Sequence, residues 1–494
     1  MIKGVHLMKK KEVINGLQMY MIHLVMLIVF WGGLLRTNYN ADTIFHMVVD
    51  DADVRTNIEA GRYMISLGDY MLLKFGLRTT SNISISMLLT FLLFALAMTK
   101  AGRIFEQWSP EDLWKKAGYY IGIQLVFLNV LFAELLMFNE YCIYFAFGYC
   151  MAVFGVDAFA RRKYIPMLLY LSVAVMTYQY TVVFAAVMIA FYVCLENNGK
   201  LTPDSVKAEL VGIVLPMGLG GLNYLSVIVL IKLGIITDFG KSAGVGDMHE
   251  KVNHVISSLK ELYQSSAGIF PDFWIPLMFT VAIWGFIITA CYRKKELDKL
   301  IFIFMVWIGS HLLLYVIPVV QSQFSFPPRM SFCFYLIQGG MVIIAYMVAC
   351  EDMKRLLTIG CAAYLVVQLL FAQFIVSNRF VSNTLDEVYV NMAYQEVLKY
   401  EEETGVEVTG LAVIDDAYAP DHYEEVSYKS GQINERCLGT VTNSLVWAIT
   451  KRRFEIAPMD EMVYKQYFEG KDWNYLNLQE QLVIIGDTAY WCIF

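Results

Sequence analysis

The chain has 494 residues, 57% of them hydrophobic and 17% charged, with a mean hydropathy of +0.51. Soluble proteins carry roughly 25% charged residues, so a soluble enzyme, a nucleic-acid binder and a disordered chain are excluded. The net charge of −7 is unevenly spread: residues 380–494 hold 8 Lys and Arg against 20 Asp and Glu, so the tail is acidic and the remainder is basic.

In chain order, Lys3, Lys9, Lys10 and Lys11 precede an apolar run at 19–35. A signal peptide has an apolar region of about 7–15 residues before small residues; here Trp31, Leu34 and Arg36 close a longer run, which reads as an uncleaved first span. Further runs lie at 83–98, 117–138, 141–160, 210–233, 273–291, 300–320, 330–349 and 356–376, each near the length that crosses about 30 Å of hydrocarbon. The run at 165–195 is too long for one crossing and holds Thr177-Tyr178-Gln179-Tyr180, where it is expected to break into two short helices, giving eleven spans.

Basic residues test that count, because short loops rich in Lys and Arg stay in the cytoplasm. With eleven spans, Lys100 to Lys116, Arg161-Arg162-Lys163, Lys200 with Lys207, Arg293-Lys294-Lys295 and Lys354-Arg355 share the side of the N-terminus. The N-terminus is then cytoplasmic and the tail extracytoplasmic. Four connections share the outer face: 36–82, the Tyr178-Gln179 hairpin, 234–272 and 321–329. The fold expected is an all-α polytopic membrane domain over 1–379 and a small extracytoplasmic α/β domain over 380–494, with a helix at 385–400 and strands at 409–414 and 482–485. Cys437 and Cys492 would be able to pair in such a tail, and no cysteine spacing indicates a metal.

The first outer connection crowds three carboxylates, Asp50, Asp51 and Asp53, into four residues. Such crowding raises carboxylate pKa values and suits a general base or a cation ligand; magnesium or manganese is compatible with it, and no other cofactor is indicated. Asp51, Arg55, Glu59 and Arg62 are spaced to form one charged stripe on a helix, with Val54, Ile58 and Ile65 as an apolar stripe beside it. The plainer reading is that Asp50 and Asp51 cap that helix. Arg329, after Pro327-Pro328 at a helix start, suits a phosphate, or else a lipid headgroup. Tyr178 and Gln179 offer hydrogen bonds to a sugar, or simply satisfy a hairpin. Glu134 is an acid near the end of the third span, with Glu140 in the next turn; it is a substrate ligand or the partner of an arginine. Connection 234–272 holds a helix at 248–263 behind a glycine-rich stretch, Gly240 to Gly246, read as a flap rather than a nucleotide loop.

An external Asp50-Asp51 followed by Arg55 and Gly61-Arg62, a Tyr178-Gln179 hairpin and Pro328-Arg329 entering a late span together resemble the GtrII-type glucosyl transferase family. These are the serotype-converting O-antigen enzymes of the GT-C glycosyltransferase superfamily, and the likeness covers residues 19–377. The resemblance implies a GT-C fold in a bacterial cell membrane, a polyprenyl-phosphate hexose donor, usually glucose, and a lipid-linked or surface glycan acceptor. It implies Asp51 or Asp50 as base, Arg329, Arg62 and Arg55 around the donor phosphate, and Tyr178, Gln179, Glu134 and Asp53 around the substrates. The long acidic tail departs from the family pattern. A lipid-linked saccharide flippase or transporter and a glycan polymerase or ligase are the rival readings; a transporter would place its polar groups at mid-membrane in paired halves, which this chain does not do.

Overall fold

The computed structural model describes residues 2–48, 52–108, 113–237, 247–321, 323–415, 433, 437–471 and 477–493, without the side chains of 2–15, 52, 53, 107, 113–115 and 415. The carboxylates of Asp50, Asp51 and Asp53 and the glycine-rich stretch 240–246 therefore lie outside the described residues.

The chain is a helical membrane protein. From the N-terminus the helices are α1 (Ile2–Trp31), α2 (Ala41–Val48), α3 (Ala52–Glu59), α4 (Tyr63–Lys74), α5 (Ile83–Phe105), α6 (Leu113–Leu125), α7 (Ala133–Met137), α8 (Cys142–Ala160), α9 (Tyr164–Thr177) and α10 (Thr181–Glu196). They continue as α11 (Pro203–Lys232), α12 (Met248–Ser265), α13 (Ile275–Lys294), α14 (Asp298–Leu314), α15 (Val316–Val320), α16 (Pro328–Ser331), α17 (Cys333–Val348) and α18 (Glu351–Thr404). Helix occupies every stretch expected to cross; among the described residues eight helical segments are long and apolar enough to do so, while α9 and α10 are shorter. The expected break falls where the polar residues are, with α9 ending at Thr177 and α10 starting at Thr181. Exposed Leu210, Val214, Leu222, Leu225 and Val229 on α11 form the kind of apolar surface that lipid covers.

Within the bundle α6 packs on α17 and α18, and α8 packs on α5 and α9. A Cβ on Gly339 would lie 2.5 Å from the carbonyl oxygen of Gly122, so glycine is what lets α6 and α17 cross backbone to backbone. The 117–138 stretch is broken: α6 stops at Leu125, and Asn129 caps a short turn by accepting from the amide of Phe132 before α7 begins. That break leaves Glu134 in the first turn of its own short helix.

The tail differs from expectation in one respect. The helix expected at 385–400 is part of α18, which runs unbroken for 54 residues, about 80 Å, far more than a bilayer crossing needs. Its outlying half carries the buried face Tyr389, Val390, Ala393 and Val397. Against that face lie α19 (Thr442–Thr450) and a mixed four-stranded sheet of order β2-β1-β4-β3, with β1 (Gly410–Asp415), β2 (Glu455–Ile456), β3 (Leu482–Ile485) and β4 (Thr488–Ile493). β1 pairs in parallel with β2 and β4, and β3 is antiparallel to β4. Cys437 and Cys492 are both buried in this domain.

The tail's apolar core is shared with the first connection. Tyr39 and Ile44 lie in the same cluster as Leu411, Leu445 and Trp491. Asn383 of α18 accepts from the amide of Tyr39 at 3.1 Å and donates to its carbonyl at 2.9 Å, and α19 packs directly on α2. Leu445, fully buried at this junction, should cost about 2–5 kcal/mol when cut to alanine. Limited proteolysis of Leu445→Ala should then open both the tail and the 36–48 segment; cleavage confined to the tail would show that the two do not share a core.

Candidate functional site

One end of the bundle gathers the connection between α1 and α5, the α7–α8 turn, the α9–α10 hairpin and the start of α16. Chain entry into α2 is held by the α7–α8 turn. Asn38 accepts from Asn139 through its carbonyl at 2.8 Å, and Asn40 donates to the carbonyl of Met137 at 3.0 Å while its Oδ1 caps α2 by accepting from the Thr43 amide at 2.6 Å. The tail grips Ile44 of α2, so Asp42, Thr43 and His46 turn the other way, toward the bundle.

Thr43 Oγ1 lies 2.7 Å from Asn40 Oδ1 and 2.7 Å from Glu140 Oε2. A hydroxyl has one proton for these two acceptors, and a protonated Glu140 supplies the second. Burial raises the Glu140 carboxyl to about 7, with Asp42 adding to the rise and His46 opposing it. Its Oε1 is buried without a hydrogen-bond partner among the described residues. His46 Nε2 lies 3.1 Å from the hydroxyl of Tyr141, which also receives Asn57 at 3.4 Å, and Tyr144 donates to Asp69 at 2.8 Å in the same layer.

The charged stripe expected over 51–62 ends early. Arg55 pairs with Glu59 at 3.2 Å and faces outward, but the helix stops at Glu59 and Gly61 adopts φ +71°. Among the described side chains of α3 the buried ones are Asn57 and Glu59, and Ile65, expected on the same apolar stripe as Val54 and Ile58, belongs to α4. The reversal is clamped: Gln179 Nε2 donates to the carbonyl of Ala60 at 2.6 Å, Asn223 donates to that of Gly61 at 3.0 Å, and a Cβ at Gly61 would meet both side chains at about 3 Å. Gln179 thus has its amide on the backbone. The same reversal swings Arg62 inward over the rings of Tyr141 and Tyr178, 5.8 and 5.7 Å from their centroids, with its buried Nε lacking a partner among the described residues. Glu59 Oε1 accepts from the hydroxyl of Thr237 at 2.6 Å, which holds its carboxyl below the usual range and ties α3 to the end of α11.

Arg329 arrives from the far end of the sequence. Glu134 is fully buried and accepts from the amide of Arg329 at 2.7 Å and from its Nη1 at 2.6 Å, while the guanidinium sits 4.9 Å from the centroid of Phe138. Tyr178 is electrostatically close to Arg329, Arg62 and Glu134, and Asp42 to both Arg329 and Glu140. Four of the residues singled out in the sequence, Arg62, Glu134, Tyr178 and Arg329, therefore meet in one cluster. Arg55 does not join it, and Gln179 supports it from below.

Asp42, His46 and Glu140 complete the cluster. The sequence does carry a signal for the first two: an asparagine cap at Asn40 shortly after the first span, then an acid and a histidine four apart on one helix face. Among the described residues no three His, Cys, Asp or Glu side chains are placed to hold a metal. Comparison of the chain with family models, curated proteins and solved structures returns no match.

Two predictions follow from the geometry. Removing Glu134 strands a largely enclosed guanidinium, so Glu134→Ala should cost about 3–5 kcal/mol, and Glu134→Gln, which still accepts from the Arg329 amide, clearly less; thermal unfolding in detergent measures both. Glu140 holds its proton up to about 7 in the folded chain and only to 4.5 in the unfolded one. Its contribution to stability is complete below the lower value and is lost as pH rises through the upper one. Wild-type Tm should therefore fall between about pH 5 and pH 8, and Glu140→Gln, which mimics the protonated acid, should flatten that profile. Parallel profiles would mean that Glu140 is charged throughout.

Proposed function

We propose that the chain is a membrane glycosyltransferase of GT-C architecture that moves a hexose, glucose in the first instance, from a polyprenyl-phosphate donor to a glycan acceptor. In this reading eleven helices cross a bacterial plasma membrane, the N-terminus is cytoplasmic, and the polar cluster and tail face outward. The observation that carries it is the convergence of two guanidinium groups, Arg62 and Arg329, on Tyr178 beside a partly exposed carboxylate, Asp42. Arginine forks match phosphate oxygens, and the positions of these two are fixed by Gly61 and Glu134 before any ligand binds. An interfacial position is what an amphiphilic donor requires, since its chain stays in lipid while its sugar phosphate meets water.

The reaction we assign is a single displacement. The acceptor hydroxyl oxygen bonds the anomeric carbon, the bond from that carbon to the phosphate oxygen breaks, and its electron pair leaves with the polyprenyl phosphate, whose charge the two arginines stabilise. The hydroxyl proton passes to a carboxylate of the first connection. Asp42 is the assignment favoured by its accessibility and its closeness to Arg329; Asp50 and Asp51, three residues or fewer beyond α2, are its competitors.

Reconstituted protein given labelled polyprenyl-phosphate glucose and a glycan acceptor should transfer sugar with inversion at the anomeric carbon. Asp42→Asn should lower turnover by about a hundredfold or more, and Asp51→Asn by less than about tenfold. Retention of configuration, read by NMR of donor and product, would end the single-displacement scheme, and lipid movement without sugar transfer would favour a flippase. Arg62→Ala should raise KM for the donor while leaving the fold intact, because the backbone of Gly61 rather than the Arg62 side chain makes the clamp.

A further inference from the structure

A groove of about 720 Å³ opens between α12 and α18, lined by residues other than those of the arginine cluster. Its two walls have opposite character. α12 contributes Lys260, Glu261 and Gln264, and α18 contributes Phe371 and Phe374, with Asp272 at the mouth. The floor is the turn after α12, where Ser266 and Ala267 both hold positive φ, at 50° and 60°, a conformation non-glycine residues adopt only when packing enforces it. Enforcement is visible: Ser266 is fully buried and its hydroxyl lies 2.6 Å from that of Tyr335 on α17.

The composition of both walls suits a membrane interface. Phe371 and Phe374 belong to the apolar half of α18, just short of Val376, which packs on Gly33 where α1 ends. The opposite helix, α12, exposes Met248, Val252 and Ile256 at intervals of four, the stripe of a helix lying in a lipid surface. An occupant therefore has one side in lipid and one against hydrogen-bonding groups. Glu261, Gln264, Lys260 and Asp272 offer donors and acceptors together, as vicinal hydroxyls require, over aromatic rings that suit the apolar face of a sugar. Two carboxylates against one ammonium leave the rim net negative, which disfavours a phosphate headgroup. The wall also leads to the cluster: Gln368, on the same helix, accepts from the Val130 amide at 3.1 Å, in the turn that precedes Glu134.

We propose that this groove is the acceptor subsite and that the acceptor it takes is a neutral glycolipid, whose headgroup hydroxyl is the nucleophile of the displacement above. The assignment rests on the transferase reading, but its binding test does not. The full chain in phosphatidylcholine nanodiscs is exposed to radiolabelled glucosyl-diacylglycerol, diacylglycerol or phosphatidylglycerol. The glycolipid should be retained at least about tenfold over the other two, and Gln264→Trp, which adds bulk to the groove wall, should sharply reduce that preference while donor hydrolysis to free glucose continues at the wild-type rate. Glu261→Ala combined with Asp272→Ala, both surface changes, should weaken glycolipid retention in the same direction and covers the case in which the tryptophan variant does not fold. Equal retention of phosphatidylglycerol, or unchanged glycolipid retention in these variants, overturns the groove assignment. Glycolipid retention without any sugar release from the donor would leave the groove standing and overturn the transferase reading.

Discussion

The site depends on a buried carboxylate that holds an arginine by both its side chain and its backbone. Glu134 accepts from the amide and the guanidinium of Arg329, so it fixes where the chain enters α16 as well as where the charge points. Such a pair inside an apolar bundle is sustained by its geometry, because desolvating each ion costs several kcal/mol that only close, complete hydrogen bonding offsets. The breaks in the α6–α7 region and the prolines before Arg329 serve that geometry: Asn129 ends one helix early enough for Glu134 to start another, and Pro327 and Pro328 place no competing amides beside the carboxylate.

The second constraint is the double grip on α2. Eight residues would not form a stable helix alone. Here Ile44 lies in the core of the tail domain, and Asn40 and Thr43 are tied to the α7–α8 turn. The tail thereby sets the orientation of Asp42 and His46 without contributing a described side chain to the cluster. α18 makes this possible, since one continuous helix is both a bundle member and the platform on which the tail is built, and its Asn383 reaches back to Tyr39. The protonated state that fits Glu140 belongs to the same economy of space: a charged carboxylate there would leave Thr43 short of a proton and put charge on a buried Oε1 that has no hydrogen-bond partner among the described residues.

Much of the fold was legible in the chain. The apolar runs became helices where expected, and the polar Thr177 to Tyr180 segment marked a break because unpaired polar groups are tolerated only at helix ends in an apolar bundle. Other features misled. The spacing of Asp51, Arg55, Glu59 and Arg62 fits one helix face, yet Gly61 reverses the chain before Arg62, and it is this reversal that brings Arg62 to Tyr178. Asp50, Asp51 and Asp53 are conspicuous by local density and lie outside the described residues, while Asp42 and Glu140 gain their place through neighbours nearly a hundred positions apart.

By itself, the sequence determined that this is a helical membrane protein, where its long apolar helices lie, and that its charge is segregated between basic loops and an acidic tail. These follow from local quantities: hydropathy over about twenty residues, helix caps and the positions of charge. Only the tertiary structure decided that Glu134 takes Arg329, 195 positions away, that the Gln179 amide supports the Gly61 turn, and that the tail shares its core with α2. The reason is physical: a buried ion pair or a shared core has no local signature, since its free energy depends on which surfaces packing brings together.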